Sequence, residues 1–229
     1  MNSNNIISKK TAILLGVSGV LGSFVLFAGD MLFYYKGSQT DIIANMASSS
    51  DERIILSGAC ALIAGWLYIF ASGQIYYAFQ PAKKWIRLTL FATFAMIMIS
   101  YAVIHGAYVA IATSAKNAVE VGMNPDLFTA LAISANDLLR NITYFPFGIF
   151  TLLFIPTVWM KKTYYPRWII FFSPVIPFLL NDTIVKNLKG GLKIIIGGGY
   201  LNLILSVFFT ASTLALWLGT QKDEELEVE

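Results

Sequence analysis

Apolar residues fall in runs too long for the one-sided stripe of a soluble helix. Residues 11–35, about 54–79, and the run from the basic turn 83–87 to about 113 each hold ~20 or more residues with few charges, enough to cross a ~30 Å hydrocarbon layer as a helix. The apolar core of the first run exceeds the roughly 7 to 15 residues of a secretory signal, so it reads as a first transmembrane helix. The second ends before Gln80-Pro81, where proline opposes helix continuation. Residues 114–125 read as a polar connection, and Asn124-Pro125-Asp126 as a loop ending in a helix start.

Residues 126–160 are long enough for a tilted helix. Its first half carries Asn136, Asp137, Arg140 and Asn141, too polar to face lipid, and Pro146 and Pro156 are expected to kink it. After Pro166-Arg167-Trp168 a fifth apolar stretch runs to about Leu180, kinked or broken by Pro174 and Pro177. Residues 182–199 mix lysine, glycine and apolar residues and read as an interfacial or re-entrant connection, or as a short seventh crossing. A last helix is expected at about 200–218, followed by a solvated acidic tail, 222–229. The predicted fold is all-α, a polytopic transmembrane helix bundle of six helices, or seven, forming a single domain over residues 1–229.

Composition agrees with that pattern. The 229 residues are 57% apolar by type and 13% charged, against roughly 25% charged in soluble domains, which excludes a soluble fold. The 17 Phe, 11 Tyr and 5 Trp exclude disorder. Lysine and arginine then set an orientation. The pairs in the turns at 83–87 and 161–167, with Lys9, Lys10 and Lys222, make nine residues on one side of a six-helix path. Seven fall on the other side: Lys36, Arg53, Lys116, Arg140, Lys186, Lys189 and Lys193. Positive charge in short turns marks the cytoplasmic side, so a multi-pass protein of a bacterial inner membrane with both termini cytoplasmic is expected. The net charge of +3 is spread along the chain, which gives no nucleic-acid footprint.

Depth along these helices singles out candidate chemistry. Asp30 lies about 20 residues into the first helix and His105 about 20 past the basic turn, so both fall in the outer half of the membrane. Asp137, Arg140 and Asn141 lie three to four turns down the fourth helix; Glu52-Arg53 and Asn181-Asp182 sit at the same side, as binding groups or as interfacial caps. The inner half offers almost nothing comparable. A buried charge in a bilayer costs at least ~2.5 to 3.5 kcal/mol and so faces a bundle interior or a watery cavity. A polar cavity open to the outer face follows as an expectation. Tyr101, His105 and Tyr108 share one helix face, as do Ser23, Phe27, Asp30 and Tyr34. Asp137 is expected to pair with Arg140, either as a structural ion pair or as a ligand contact.

The ligand-binding candidates are therefore Asp30, His105, Tyr108, Asp137, Arg140 and Asn141, and His105, Asp30 and Asp137 are the candidates for acid-base catalysis. One histidine and a lone Cys60 supply too few ligands for a normal zinc site. A site from His105, Asp30 and Asp137 is conceivable, but no metal and no cofactor is expected. There is no G-x-S-x-G elbow, and Gly197-Gly198-Gly199 lacks the lysine and hydroxyl of a phosphate loop. The sequons at Asn141 and Asn181 lie at membrane depth or its border and are not expected to be glycosylated. Gly16, Gly19 and Gly22, with Ser18 and Ser23, permit close helix approach, for intramolecular packing or for docking another membrane subunit.

The segment from Lys9 to Gly16, the turn from Phe79 to Lys84 and Tyr165-Pro166-Arg167-Trp168 resemble a loosely defined group of bacterial multi-pass integral membrane proteins with a domain of unknown function. The resemblance implies the topology and no activity. A six-helix protein of this size is also similar, at fold level, to substrate-capture subunits of vitamin uptake transporters. The expected function is binding or transport of a small polar or amphipathic ligand in the outer cavity, within membrane lipid. The alternatives are an intramembrane acid-base enzyme acting on a lipid or isoprenoid, and a structural subunit of a membrane complex.

Overall fold

A computed structural model of the chain describes residues 7–36 and 41–228, the side chains of Asp182 and of residues 220–228 excepted. Expectations resting on the side chains of Asp182 and Lys222, and on solvation of the acidic tail, lie outside the described residues. Every regular element among the described residues is helical. Five helices are long and apolar enough to cross a membrane: α1 (Lys9–Tyr34), α3 (Asp51–Ala78), α4 (Lys84–Glu120), α5 (Pro125–Trp159) and the apolar part of α9 (Tyr200–Val228). A short helix, α2 (Ile42–Ala47), lies between the first two.

Local chemistry sets several boundaries. Ser8 accepts from the Thr11 amide at 3.1 Å and Asp41 from that of Ala44 at 3.0 Å, each satisfying an orphan donor of a first helical turn. Ser50 caps α3, whose first turn carries Asp51 and Glu52 at the positive end of the helix dipole. Asn124 caps α5 with Pro125 in its first turn. At the other end of α1, Arg53 donates to the carbonyls of Leu32, Met31 and Tyr35 at 2.9, 3.0 and 2.8 Å, so it satisfies acceptors that the helix end leaves open.

The polar connection expected at 114–125 is mostly helix. Residues 114–120 are polar enough to leave the membrane but contain no breaker, so α4 runs on to Glu120. Only 121–124 turn, with Gly122 at φ +71°. Membrane thickness limits an apolar run, and a helix can continue beyond it. At 37 residues α4 is ~55 Å long, and Lys116 near its end pairs with Asp51 at the start of α3. Helix α5 continues through Pro146 and Pro156.

The fifth apolar stretch is broken. Residues Arg167–Phe172 form a 3-10 helix, and α6 (Val175–Leu179) follows Pro174. Then come α7 (Asn181–Asn187) and α8 (Gly190–Leu192), which runs into a π-helical turn, Lys193–Gly197. The amide of Tyr164 donates to the Ala78 carbonyl at 2.8 Å, and the Tyr165 and Ser212 hydroxyls lie 2.6 Å apart. Twelve residues on, the Tyr200 hydroxyl donates to the Pro177 carbonyl at 2.8 Å. Residues 165–177 thus run antiparallel beside α9, from the level of Ser212 to that of Tyr200.

Helix α1 packs between α9 and α3, α3 against α4, and α4 against α5, while the 3-10 segment touches both α5 and α9. Phe79, Phe94, Phe150, Phe154, Phe208 and Phe209 fill the middle, with ring centroids 5.1 to 6.1 Å apart between neighbours. The glycines of α1 are used inside this bundle. A Cβ on Gly16 would meet Gln74 and Thr213, one on Gly19 the ring of Phe209 at 2.4 Å, and one on Gly22 Leu67 and Tyr68. The face weighed for docking another subunit is therefore covered by α3 and α9 of the same chain. Nor is the half near the basic turns empty of polarity. There Ser212 donates to Gln74 Oε1 at 2.7 Å and Gln74 Nε2 to Thr213 at 3.1 Å, a neutral network that leaves each partner satisfied.

Candidate functional site

Four helices bring polar side chains together at the end of the bundle away from the basic turns. Asp30 of α1, Ser57 of α3, His105 of α4 and Asn202 of α9 are all buried. Asp30 Oδ1 lies 3.1 Å from His105 Nδ1, and Asn202 Nδ2 donates to Asp30 Oδ2 at 2.6 Å. The Tyr68 hydroxyl reaches Asn202 Oδ1 at 3.4 Å. On the other side of the imidazole, Ser57 Oγ is 3.0 Å from His105 Nε2 and 2.7 Å from the Gly29 carbonyl. Gly29 makes this approach possible: a Cβ there would stand 2.9 Å from both His105 Nε2 and Cys60 Cβ.

Three proton arrangements satisfy this set. Ser57 has one proton and two acceptors within reach. Given to His105 Nε2, it leaves the ring neutral, with its single N–H on Nδ1 facing Asp30. Given to the Gly29 carbonyl, it leaves Nε2 to donate to Ser57, and Nδ1 then either donates to an Asp30 carboxylate, as an imidazolium, or accepts from a protonated Asp30, as a neutral ring. His105 also lines the adjoining cavity; Ser57 does not.

The cavity has room for about 180 Å3. Its polar wall holds Asp30, His105, Asn202, Tyr108 and Arg140. Asn136 fixes the arginine: it donates to the Ile104 carbonyl at 2.9 Å and accepts from Arg140 Nε at 3.1 Å. Arg140 also donates from Nη2 to the Tyr108 hydroxyl. Two of the five guanidinium N–H donors are thereby used, and the remaining three have no partner among the described residues. Tyr34 stands edge-on to Tyr108, with centroids 5.9 Å apart. Across the cavity Asn181 Oδ1 is buried without a hydrogen-bond partner. The opposite wall is aromatic: Phe178 packs on Tyr144 and Phe147, with centroids 5.7 and 5.3 Å apart.

The residues singled out by sequence divide. Asp30, His105, Tyr108 and Arg140 meet at the cavity, with Tyr101 and Tyr34 beside them. Asp137 and Asn141 are exposed on α5 and line no part of it. The i, i+3 spacing put Asp137 near Arg140, but the arginine's hydrogen bonds go to Asn136 and Tyr108, and no ion pair joins it to Asp137 among the described residues. Ser23 turns back to the Gly19 carbonyl, and Phe27 packs where a Gly199 side chain would stand. Glu52 is exposed, and Arg53 caps α1. No group of three or more His, Cys, Asp or Glu residues among those described is arranged to hold a metal ion.

Sequence reasoning missed Ser57, Asn136 and Asn202 as members of the site. Asn202 had a signal, being the one Asn, Gln or charged residue in the apolar part of the last helix. Ser57 had none, because its partner is 48 positions away. Neither a curated protein nor a solved structure matches the chain. A family model does match residues 1–218, nearly the whole of the helical bundle, and the chain belongs to that family, described as Family of unknown function (DUF6796).

Proposed function

We propose that this is a multi-pass cell-membrane protein that binds or transports a small polar or amphipathic molecule in the cavity at the outer end of its bundle. The observation carrying this reading is Arg140, held by Asn136 and Tyr108 with three donors left over, facing a cavity whose other polar wall is the buried Asp30–His105–Asn202 cluster. A guanidinium prearranged in this way suits a carboxylate or phosphate, since little of its freedom remains to be lost on binding.

Six crossings with both termini cytoplasmic fit the same reading. The contacts of Tyr165 with Ser212 and of Tyr200 with Pro177 support a broken sixth pass through residues 165–179. Lys9 Nζ lies 4.0 Å from where a side chain on Gly219 would begin, at the end that carries the paired basic turns. Reporter fusions at Lys10 and Glu229 should give the same cytoplasmic signal; opposite signals overturn the six-pass topology.

Mass spectrometry of small molecules copurifying with the protein tests the function. A stoichiometric metabolite or lipid retained by the native protein and lost from Arg140→Gln supports the reading. Equal retention by both refutes it. The second reading, acid-base chemistry on a lipid or isoprenoid, draws on His105 sitting between Asp30 and Ser57 at the cavity wall. Turnover of the copurified lipid, abolished in His105→Ala, distinguishes that reading from simple binding.

A further inference from the structure

The geometry points to a single-chain amphipath with an oxyanion head as the ligand, its head on Arg140 and its alkyl chain leaving sideways between α5 and α6 into the bilayer. This rests on the reading of the cavity as a binding site.

Depth is the first argument. Counted from Trp159, beside the basic turn at 161–167, Arg140 lies about 19 residues up α5, or ~28 Å, Tyr144 ~22 Å and Phe147 ~18 Å. His105 stands about 20 residues, ~30 Å, above Trp85 on α4. With a ~30 Å hydrocarbon layer, the polar wall falls at the headgroup border and the aromatic wall within the acyl region. A lipid standing in that leaflet presents its head and chain in the same order.

The second argument is how the bundle closes. Near the basic turns the aromatic core joins α5 to α9, as in the Phe154–Phe208 contact. Helices α5 and α9 both line the cavity without packing closely on one another; α6 packs on α9, and the ring of its Phe178 is set against Tyr144 and Phe147 of α5. Tyr144 lines the cavity and is 50% exposed. Ile142 and Phe145, at 62% and 75% exposed, lie around α5 on the side away from the cavity, as an apolar surface suited to lipid. Rings in contact across such a mouth can part for a chain without breaking a hydrogen bond.

Size and polarity complete the case. About 180 Å3 is near the ~150 Å3 of a cavity that takes benzene, so it holds a head but not a whole lipid. Three unfilled Arg140 donors call for oxygen acceptors. The unpartnered Asn181 carbonyl calls for a donor, and a monoprotonated phosphate monoester offers both.

The test uses full-length protein in lipid nanodiscs with dodecyl phosphate as the probe. Inorganic phosphate and dodecyltrimethylammonium are the controls, all at the same micromolar concentrations. We expect dodecyl phosphate to raise the melting temperature saturably, with neither control doing so, and Arg140→Gln to weaken binding at least tenfold while Arg140→Lys restores part of it. A photoreactive diazirine in the first half of the probe's chain, next to the head, should label Tyr144, Phe147 or Phe178. Inorganic phosphate binding as tightly as the alkyl ester would overturn the amphipath and leave an anion-binding cavity standing. Equal binding of the cationic amphipath would overturn the oxyanion head. Labelling confined to sites away from this mouth would overturn the exit path, and no binding of any probe would remove the anion site itself.

Discussion

Replacing Asp30 by asparagine should destabilise the native protein but stabilise a variant that already lacks His105. In the native bundle the carboxylate has His105 Nδ1 at 3.1 Å and Asn202 Nδ2 at 2.6 Å, and hydrogen bonds to a charged group contribute ~1.5 to 3 kcal/mol each. Asp30→Asn keeps the shape and loses the charge assistance, so a loss of ~2 kcal/mol is expected. His105→Ala leaves the carboxylate buried with Asn202 alone, and stranding one member of a buried pair costs ~3 to 5 kcal/mol. In that background the asparagine removes the stranded charge, and the sign of its effect reverses. Unfolding by SDS in mixed micelles, followed through the five tryptophans, yields the four free energies of the cycle. If Asp30→Asn costs the same in both backgrounds, to within the ~0.3 to 0.5 kcal/mol of additive sites, the two residues are not energetically coupled and the pairing argument fails.

Gly19→Ala sets a methyl 2.4 Å from the Phe209 ring and should cost ~1 to 3 kcal/mol as overpacking; an unchanged SDS midpoint would mean that α1 and α9 are not so closely packed. Asp137→Ala, on an exposed position without a hydrogen bond or ion pair among the described residues, should stay within ~0.5 kcal/mol of the native protein and retain its copurifying ligand. A loss as large as that of Arg140→Ala in the same assays would restore the pairing that sequence spacing suggests. Ser212→Ala strips the donor from Gln74 Oε1 and the partner from the Tyr165 hydroxyl, and should lower stability by ~1 to 3 kcal/mol. A thermal shift experiment on the purified variant reads it, and no shift would show that the network is not buried.

Helices long and apolar enough to cross a membrane were legible along the chain, because the cost of burying charge in lipid falls on each residue separately and leaves long apolar runs. The starts of α3 and α5 follow from Ser50 and Asn124-Pro125 for equally local reasons. Asp30 and His105 were legible as members of one polar level, since rise per residue converts position into depth. Facing was not legible. Asp137 and Arg140 are three residues apart and about 60° around α5, and only the packing of α5 on α4, with Asn136 bonded to Ile104, decides that the arginine lines the cavity and the aspartate does not. The partners of Asp30 and His105 come from other helices. Asn202 is 172 positions from Asp30 and Ser57 is 48 from His105, so their meeting depends on the rotation and register of four packed helices, with Gly29 leaving the space. The broken stretch at 165–179 divides in the same way: Pro174 and Pro177 told locally that it cannot be one straight helix, while its course beside α9 was set by the contacts of Tyr165 and Tyr200, which exist only once the bundle has formed.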